Sequence, residues 1–189
     1  MNKLTDKPMF WILLLSLLLL PFLLLSFFCH PSADDYIISS VVRDSGISAH
    51  FHQTYTEWSG RYFSTIIACF NPLVYGWIGG YKIIPLFLMM LFYCSVYYFF
   101  LIIFQQSLSS AKKHLASLFF TILYFNNMPS TSECIYWMSS SLNYFLSITF
   151  LLFFFSLILK TWHEEKSKTG LRILLIMLPV MIIGSNEIS

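Results

Sequence analysis

Charge is what this sequence has least of. Only 11% of its 189 residues are Asp, Glu, Lys or Arg, whereas 57% are hydrophobic. A water-soluble domain carries about 25% charged residues, so a soluble globular class is excluded. The net charge is +2 and the basic residues form no tract, which leaves nothing for a polyphosphate backbone to engage; no nucleic-acid partner is expected. Four cysteines, Cys29, Cys69, Cys94 and Cys134, lie far apart without a C-x-x-C pair. They offer no disulfide framework and read as small apolar residues. P-loop, G-x-S-x-G, H-E-x-x-H and Rossmann signatures are all missing, as is any internal repeat. A nucleotide-driven cytoplasmic reaction therefore has no support in the sequence.

What is present is long apolar runs and aromatic rings. The chain holds 20 Phe, and its mean hydropathy is +0.70. The first run, Pro8 to Cys29, exceeds the core of a signal peptide and suits a spanning helix, so it reads as a retained anchor. Ile83–Phe104 and Leu142–Leu159 are clear further spans. Two shorter ones are expected around 108–128, if Lys112 and Lys113 snorkel to the headgroups, and 168–184. The expected fold is all-α: a polytopic membrane helical bundle, residues 1–189 as one membrane domain. It has about five spans (8–29, 83–104, 108–128, 142–159 and 168–184), with a long external first loop, 30–82, carrying interfacial helices.

Charge sidedness orients it. Lys3, Lys7, Lys112, Lys113, Lys160, Lys166, Lys168 and Arg172 fall on one side, eight of the 11 basic residues. Arg43, Arg61 and Lys82 fall on the other. The positive-inside rule then places the N-terminus in the cytoplasm. Six of the nine acids, among them Asp34, Asp35, Glu133 and Glu187, lie on the external side. Ser64–Gly80 is apolar, but Asn71-Pro72, Gly76 and Gly79-Gly80 interrupt it, so it reads as an interfacial or re-entrant segment.

Three polar constellations sit on the external side. In HPSADDYIISS, the adjacent carboxylates Asp34 and Asp35 repel one another and suit cation binding or general-base work. They equally suit the first turn of a helix, where free amides need acceptors. In EWSGRY, Arg61 offers a rigid fork of donors to a phosphate or carboxylate, and Trp58 and Tyr62 offer ring faces. Arg61 would alternatively pair with the aspartates, and the rings with the membrane interface. In SECIYW, Glu133 and Trp137 stand close to a span, where they would line a headgroup-level pocket or simply join an aromatic belt. Asn186-Glu187 closes the last span on the same side. His50 and His52 are candidate metal ligands with a carboxylate as the third, though no further His or Cys cluster supports them; no metal site is assigned, and a divalent metal stays open.

An external Asp-Asp directly behind a first span, followed by W-S-G-R-Y, resembles the N-terminal part of GT-C-type polytopic membrane glycosyltransferases. The GtrII-like bacterial group and related families show a similar pattern. E-x-x-x-W (Glu133, Trp137) and the N-E pair at Asn186-Glu187 are similar too. The resemblance implies a lipid-linked sugar donor, a polyprenyl phosphate sugar, used on the external face of a bacterial inner membrane. A cell-envelope glycan or lipid would be the acceptor. It implies a first-loop acid as base on the acceptor hydroxyl, Asp34 or Asp35, with Asp35 preferred. Trp58 and Trp137 would stack on sugar rings, and the chemistry of Arg61 suits the donor phosphate. Such families run to several hundred residues, so the chain is expected to be an N-terminal portion of a larger fold. The alternative is a non-catalytic membrane subunit or lipid-handling or transport partner.

Overall fold

The computed structural model describes residues 8–163 and 169–186, and among them there are helices and turns but no strand. Eight α-helices follow in order: α1 (Pro8–Leu25), α2 (Ala33–Gln53), α3 (Tyr62–Ala68), α4 (Ile78–Phe104), α5 (Ser110–Asn126), α6 (Met138–Ser140), α7 (Leu146–His163) and α8 (Thr169–Ile183). The chain is all-α. A π turn at Ser141–Phe145 joins α6 to α7, so that Met138–Trp162 runs as one rod.

Among the described residues, three helical stretches are long and apolar enough to cross a membrane: Pro8–Phe28, Ile78–Phe104 and Met138–Trp162. The other two expected spans are shorter. Helix α5 has 17 residues and α8 has 15, roughly 25 Å and 22 Å at 1.5 Å per residue, against a hydrocarbon core of about 30 Å. The helices neighbour one another in the order α1, α5, α4, α7, α8. Helix α1 is apolar all round and buries no residue of its own, the pattern of a helix solvated by lipid. The core lies where α4, α5 and the rod meet. There Phe92 stacks on Tyr124 at 4.6 Å and packs on Phe145 at 5.1 Å and Phe125 at 5.8 Å.

Two details depart from the expectation. Lys113 does not reach for headgroups: it is buried, and its ammonium donates to the Gln105 carbonyl in the preceding turn. A carbonyl that α4 leaves free at its C-terminus thus supplies the partner. And Gly79-Gly80 do not interrupt a helix but open α4, which starts at Ile78 rather than near residue 83. Trp77 folds back over them; a Cβ at Gly80 would lie 2.4 Å from its ring.

The segment between α1 and α4 is helical but holds no helix both long and apolar enough to span: α2 has 21 residues but is polar and kinked at Gly46. Tyr62–Tyr75 forms only α3 and a short 3-10 turn. Asn71 caps that turn, accepting from Leu73 N at 3.0 Å, and Gly76 leaves it at φ 69°, a left-handed geometry that suits glycine. Arg43 of α2 ties the turn down by donating to the carbonyls of Leu73 (2.8 Å) and Val74 (3.2 Å). As expected, no full span forms over 64–77, and residues 78–80 belong to α4.

The first long loop, the 129–141 segment and the end of α8 all gather at one end of the bundle. Asp35 meets Ser139, and Tyr81 meets Tyr136. The amide of Phe63 donates to the Gly184 carbonyl at 2.7 Å. The described basic residues Lys112, Lys113, Lys160 and Arg172 belong to the opposite ends of their helices.

Candidate functional site

Adjacent residues on an α-helix point about 100° apart. Asp34 and Asp35 open α2, so they cannot face the same way. Asp35 turns inward and is 1% exposed; Asp34 turns outward into a cavity.

Asp35 lies at the junction of two helix starts. Its Oδ2 accepts from the Ser32 amide at 3.0 Å and from the Tyr81 hydroxyl at 2.7 Å. Its Oδ1 accepts from the Ser139 amide at 3.1 Å and the Ser139 hydroxyl at 2.7 Å. Ser32 is the N-cap of α2 and Ser139 stands in the first turn of α6. One carboxylate therefore answers the free amides, and the positive ends, of two helices at once. Tyr81 extends the network by accepting from Met138 N at 3.2 Å. The capping reading of the Asp-Asp pair is thus realised at Asp35.

Asp34 borders a cavity of about 370 Å³ together with His50, Trp58, Arg61, Ser139 and Asn143. Its remaining wall mixes the apolar Ile37, Ile38, Ala68 and Leu142 with the small hydroxyl residues Thr54, Ser59, Ser64 and Thr65. Asp34 and His50 are 16 residues apart, which would separate them by roughly 24 Å along a straight helix. Helix α2 is not straight. At Gly46 the backbone turns to φ 84°, ψ 164°, and the bend returns the C-terminal half of the helix to the same cavity. Glycine tolerates that geometry without a Cβ clash.

Arg61 is half-buried, with its guanidinium carbon 5.9 Å from the Tyr144 ring centre. Its backbone amide donates to Ser59 Oγ at 3.3 Å. Trp58 sits at the rim and is 87% exposed. His50 is buried, and burial pushes its imidazole below the usual 6.5, so the ring is held neutral. His52 is exposed; two positions along the helix it points about 200° away. The two imidazoles do not share a site, and among the described residues no three His, Cys, Asp or Glu side chains converge as metal ligands.

Tyr62 does not border either cavity described here. Its hydroxyl donates to the Val180 carbonyl at 2.5 Å, and its ring lies over Gly184. It clamps α8 to α3. Glu133 and Trp137 border a separate cavity of about 520 Å³, beyond the Asp35 junction. Tyr136 closes its floor, donating to the Phe22 carbonyl at 2.7 Å; burial pushes its hydroxyl up to about 12, which keeps it a donor. Glu187 lies outside the described residues. Tyr81 and Ser139, which hold the junction together, carry no motif in the sequence. Only their tertiary contacts distinguish them.

No protein-family model, curated protein or solved structure matches the chain. What the fold defines is a class: an all-α protein with three helices suited to a membrane and a half-buried polar cavity at one end of the bundle.

Proposed function

We propose that the chain is a membrane glycosyltransferase of the GT-C type, working on the external face of a bacterial inner membrane with its N-terminus in the cytoplasm. The donor is a polyprenyl-phosphate sugar, and the acceptor a hydroxyl of a cell-envelope glycan or lipid. One observation carries the reading: Asp34 and Arg61 border the same cavity, against a wall that is partly apolar. A carboxylate and a guanidinium there match the two charges that glycosyl transfer develops.

In this reading Asp34 takes the proton of the acceptor hydroxyl as its oxygen attacks the anomeric carbon. The bond from that carbon to the phosphate oxygen breaks, and Arg61 meets the negative charge of the departing polyprenyl phosphate. Asp35 is the positioning residue, since four donors already occupy its oxygens. The role of base therefore passes from Asp35, the first expectation, to Asp34.

Transfer of labelled sugar from a polyprenyl-phosphate donor, measured in membranes containing the protein, tests this. Asp34→Asn should reduce transfer by about 10²–10⁴-fold, the usual worth of a general base, at unchanged protein level. Full transfer by Asp34→Asn removes the base assignment. The structural use of Asp35 also favours a second reading, a non-catalytic lipid-handling subunit; absence of transfer by the wild-type protein, alone and with co-purifying partners, would support it.

A further inference from the structure

The uncharged polar side chains around the Asp34–Arg61 cavity fall into two groups. Some are already committed. Ser139 donates its hydroxyl to Asp35 at 2.7 Å, Ser64 donates to the Ser185 carbonyl at 3.4 Å, and Ser59 Oγ accepts from the Arg61 amide at 3.3 Å. His50, Thr54 and Asn143 line the same cavity, and among the described residues their side chains make no hydrogen bond.

Of these three, His50 is the most deeply placed. It is 8% exposed, so its imidazole has left water almost entirely. Burial accounts for its lowered pKa, with no charge or hydrogen bond contributing. A buried polar ring without partners is costly, and native structures rarely leave one. Neither ring nitrogen is sealed beneath the surface, so both keep access to the cavity that the residue lines. A neutral imidazole has one N–H and one bare nitrogen, so it serves a group that both donates and accepts, as a hydroxyl does. Thr54, one turn further on, and Asn143, in the π turn that leads into α7, also donate and accept.

Bringing His50 to this wall takes a backbone conformation that suits glycine alone. Gly46 lies at φ 84°, ψ 164°, yet a Cβ there would meet nothing within 4 Å. The position therefore requires glycine for its dihedrals and not for space.

We propose that His50 is a ligand-contacting residue of the first cavity, accepting a hydrogen bond from a sugar hydroxyl through its bare ring nitrogen, and that Gly46 is the positioning residue that delivers it. The identity of the ligand rests on the transferase reading. His50 thereby passes from candidate metal ligand to hydroxyl acceptor.

The full chain in lipid nanodiscs, labelled with carbon-13 in its histidine rings, tests this by NMR, with His50→Gln identifying the His50 signal. The probes are a methyl glycoside, a short-chain prenyl-phosphate sugar and, as the anionic control, inorganic sulfate. The glycoside should shift the His50 signal saturably and leave that of the exposed His52 in place. Saturation-transfer titration, which reads the glycoside's own protons, compares the variants. His50→Phe keeps a ring, loses both nitrogens and should weaken binding by about three- to tenfold, the worth of one hydrogen bond. His50→Gln keeps a donor and an acceptor and should recover most of it. Gly46→Ala should abolish the His50 shift; a shift retained in that variant removes the role of Gly46, and if the variant fails to fold, the two His50 variants still decide. A prenyl-phosphate sugar that moves the His50 signal and displaces the glycoside makes the hydroxyl the donor's. A glycoside shift that persists with the prenyl compound bound makes it the acceptor's. An unmoved His50 signal, a larger shift with sulfate than with glycoside, or equal glycoside binding by wild-type and His50→Phe proteins overturns the proposal. Transfer with an unresponsive His50 removes this contact alone, whereas a responsive His50 in a protein that transfers nothing removes the transferase reading alone.

Discussion

Removing the Asp35 side chain should cost more stability than any other single carboxylate change in the described chain. Asp35→Ala withdraws an acceptor from four donors at once. Two of them can adapt. The Tyr81 hydroxyl already lies 3.4 Å from the Tyr136 carbonyl, and the Ser139 hydroxyl borders the first cavity. The amides of Ser32 and Ser139 are fixed by their helices and cannot turn away. A stranded donor costs about 1–3 kcal/mol, so the two amides together set a loss of about 2–6 kcal/mol. At about 2–4 °C per kcal/mol for a chain of this size, the melting temperature should fall by roughly 4–24 °C. Asp35→Asn keeps the volume and one oxygen, and should fall about midway. Asp34→Asn, exposed to the cavity, should stay within about 0.5 kcal/mol. Thermal unfolding of the three variants in one detergent, followed by circular dichroism and by loss of the monodisperse chromatographic peak, reads the series. If Asp35→Ala melts within about 2 °C of the wild-type protein, or Asp34→Asn melts as early as Asp35→Ala, the division of labour between the carboxylates is wrong.

Two further outcomes follow from other parts of the molecule. Gly184→Ala places a Cβ 2.3 Å from the Tyr62 ring; the ring must move and its bond to Val180 breaks, for a loss of about 1–3 kcal/mol. Tyr62→Phe, which gives up only the hydroxyl, should lose about 1 kcal/mol by the same unfolding measurement. Burial of His50 predicts acid sensitivity. Its folded pKa lies below the ordinary 6.5, so the unfolded chain binds the extra proton first. The stability present above about pH 6.5 is then lost as pH falls, until the folded-state value is passed. His50→Gln should flatten this part of a melting-temperature profile taken between about pH 7.5 and 5, and an unchanged slope would assign the acid sensitivity elsewhere.

The agreement between sequence and structure follows the range of the interactions. Apolar runs such as Pro8–Phe28 announce their helices because lipid leaves the backbone no other partner than itself. The breakers Asn71-Pro72 and Gly76 act within three or four residues, so the interruption of helix there is readable in the sequence too. The partner of Lys113, the Gln105 carbonyl, becomes available only where α4 happens to end, and no local pattern announces it. Tyr62 looked like a ligand-facing ring beside Arg61. It serves α8, 118 residues further on, and nothing local records that.

By itself the sequence determined the helical class, the apolar lengths and the gathering of carboxylates, Arg61 and interfacial rings on one set of loops. Those properties reside in composition and in spacing of a few residues. Tertiary structure alone decided which aspartate faces a cavity. It separated Glu133 and Trp137 from Arg61 and Trp58, and it brought His50 round to Asp34. The reason is geometric. A helix turns neighbours 100° apart, and only the helices packed around α2, through Tyr81 and Ser139, determine which of those directions is core and which is cavity.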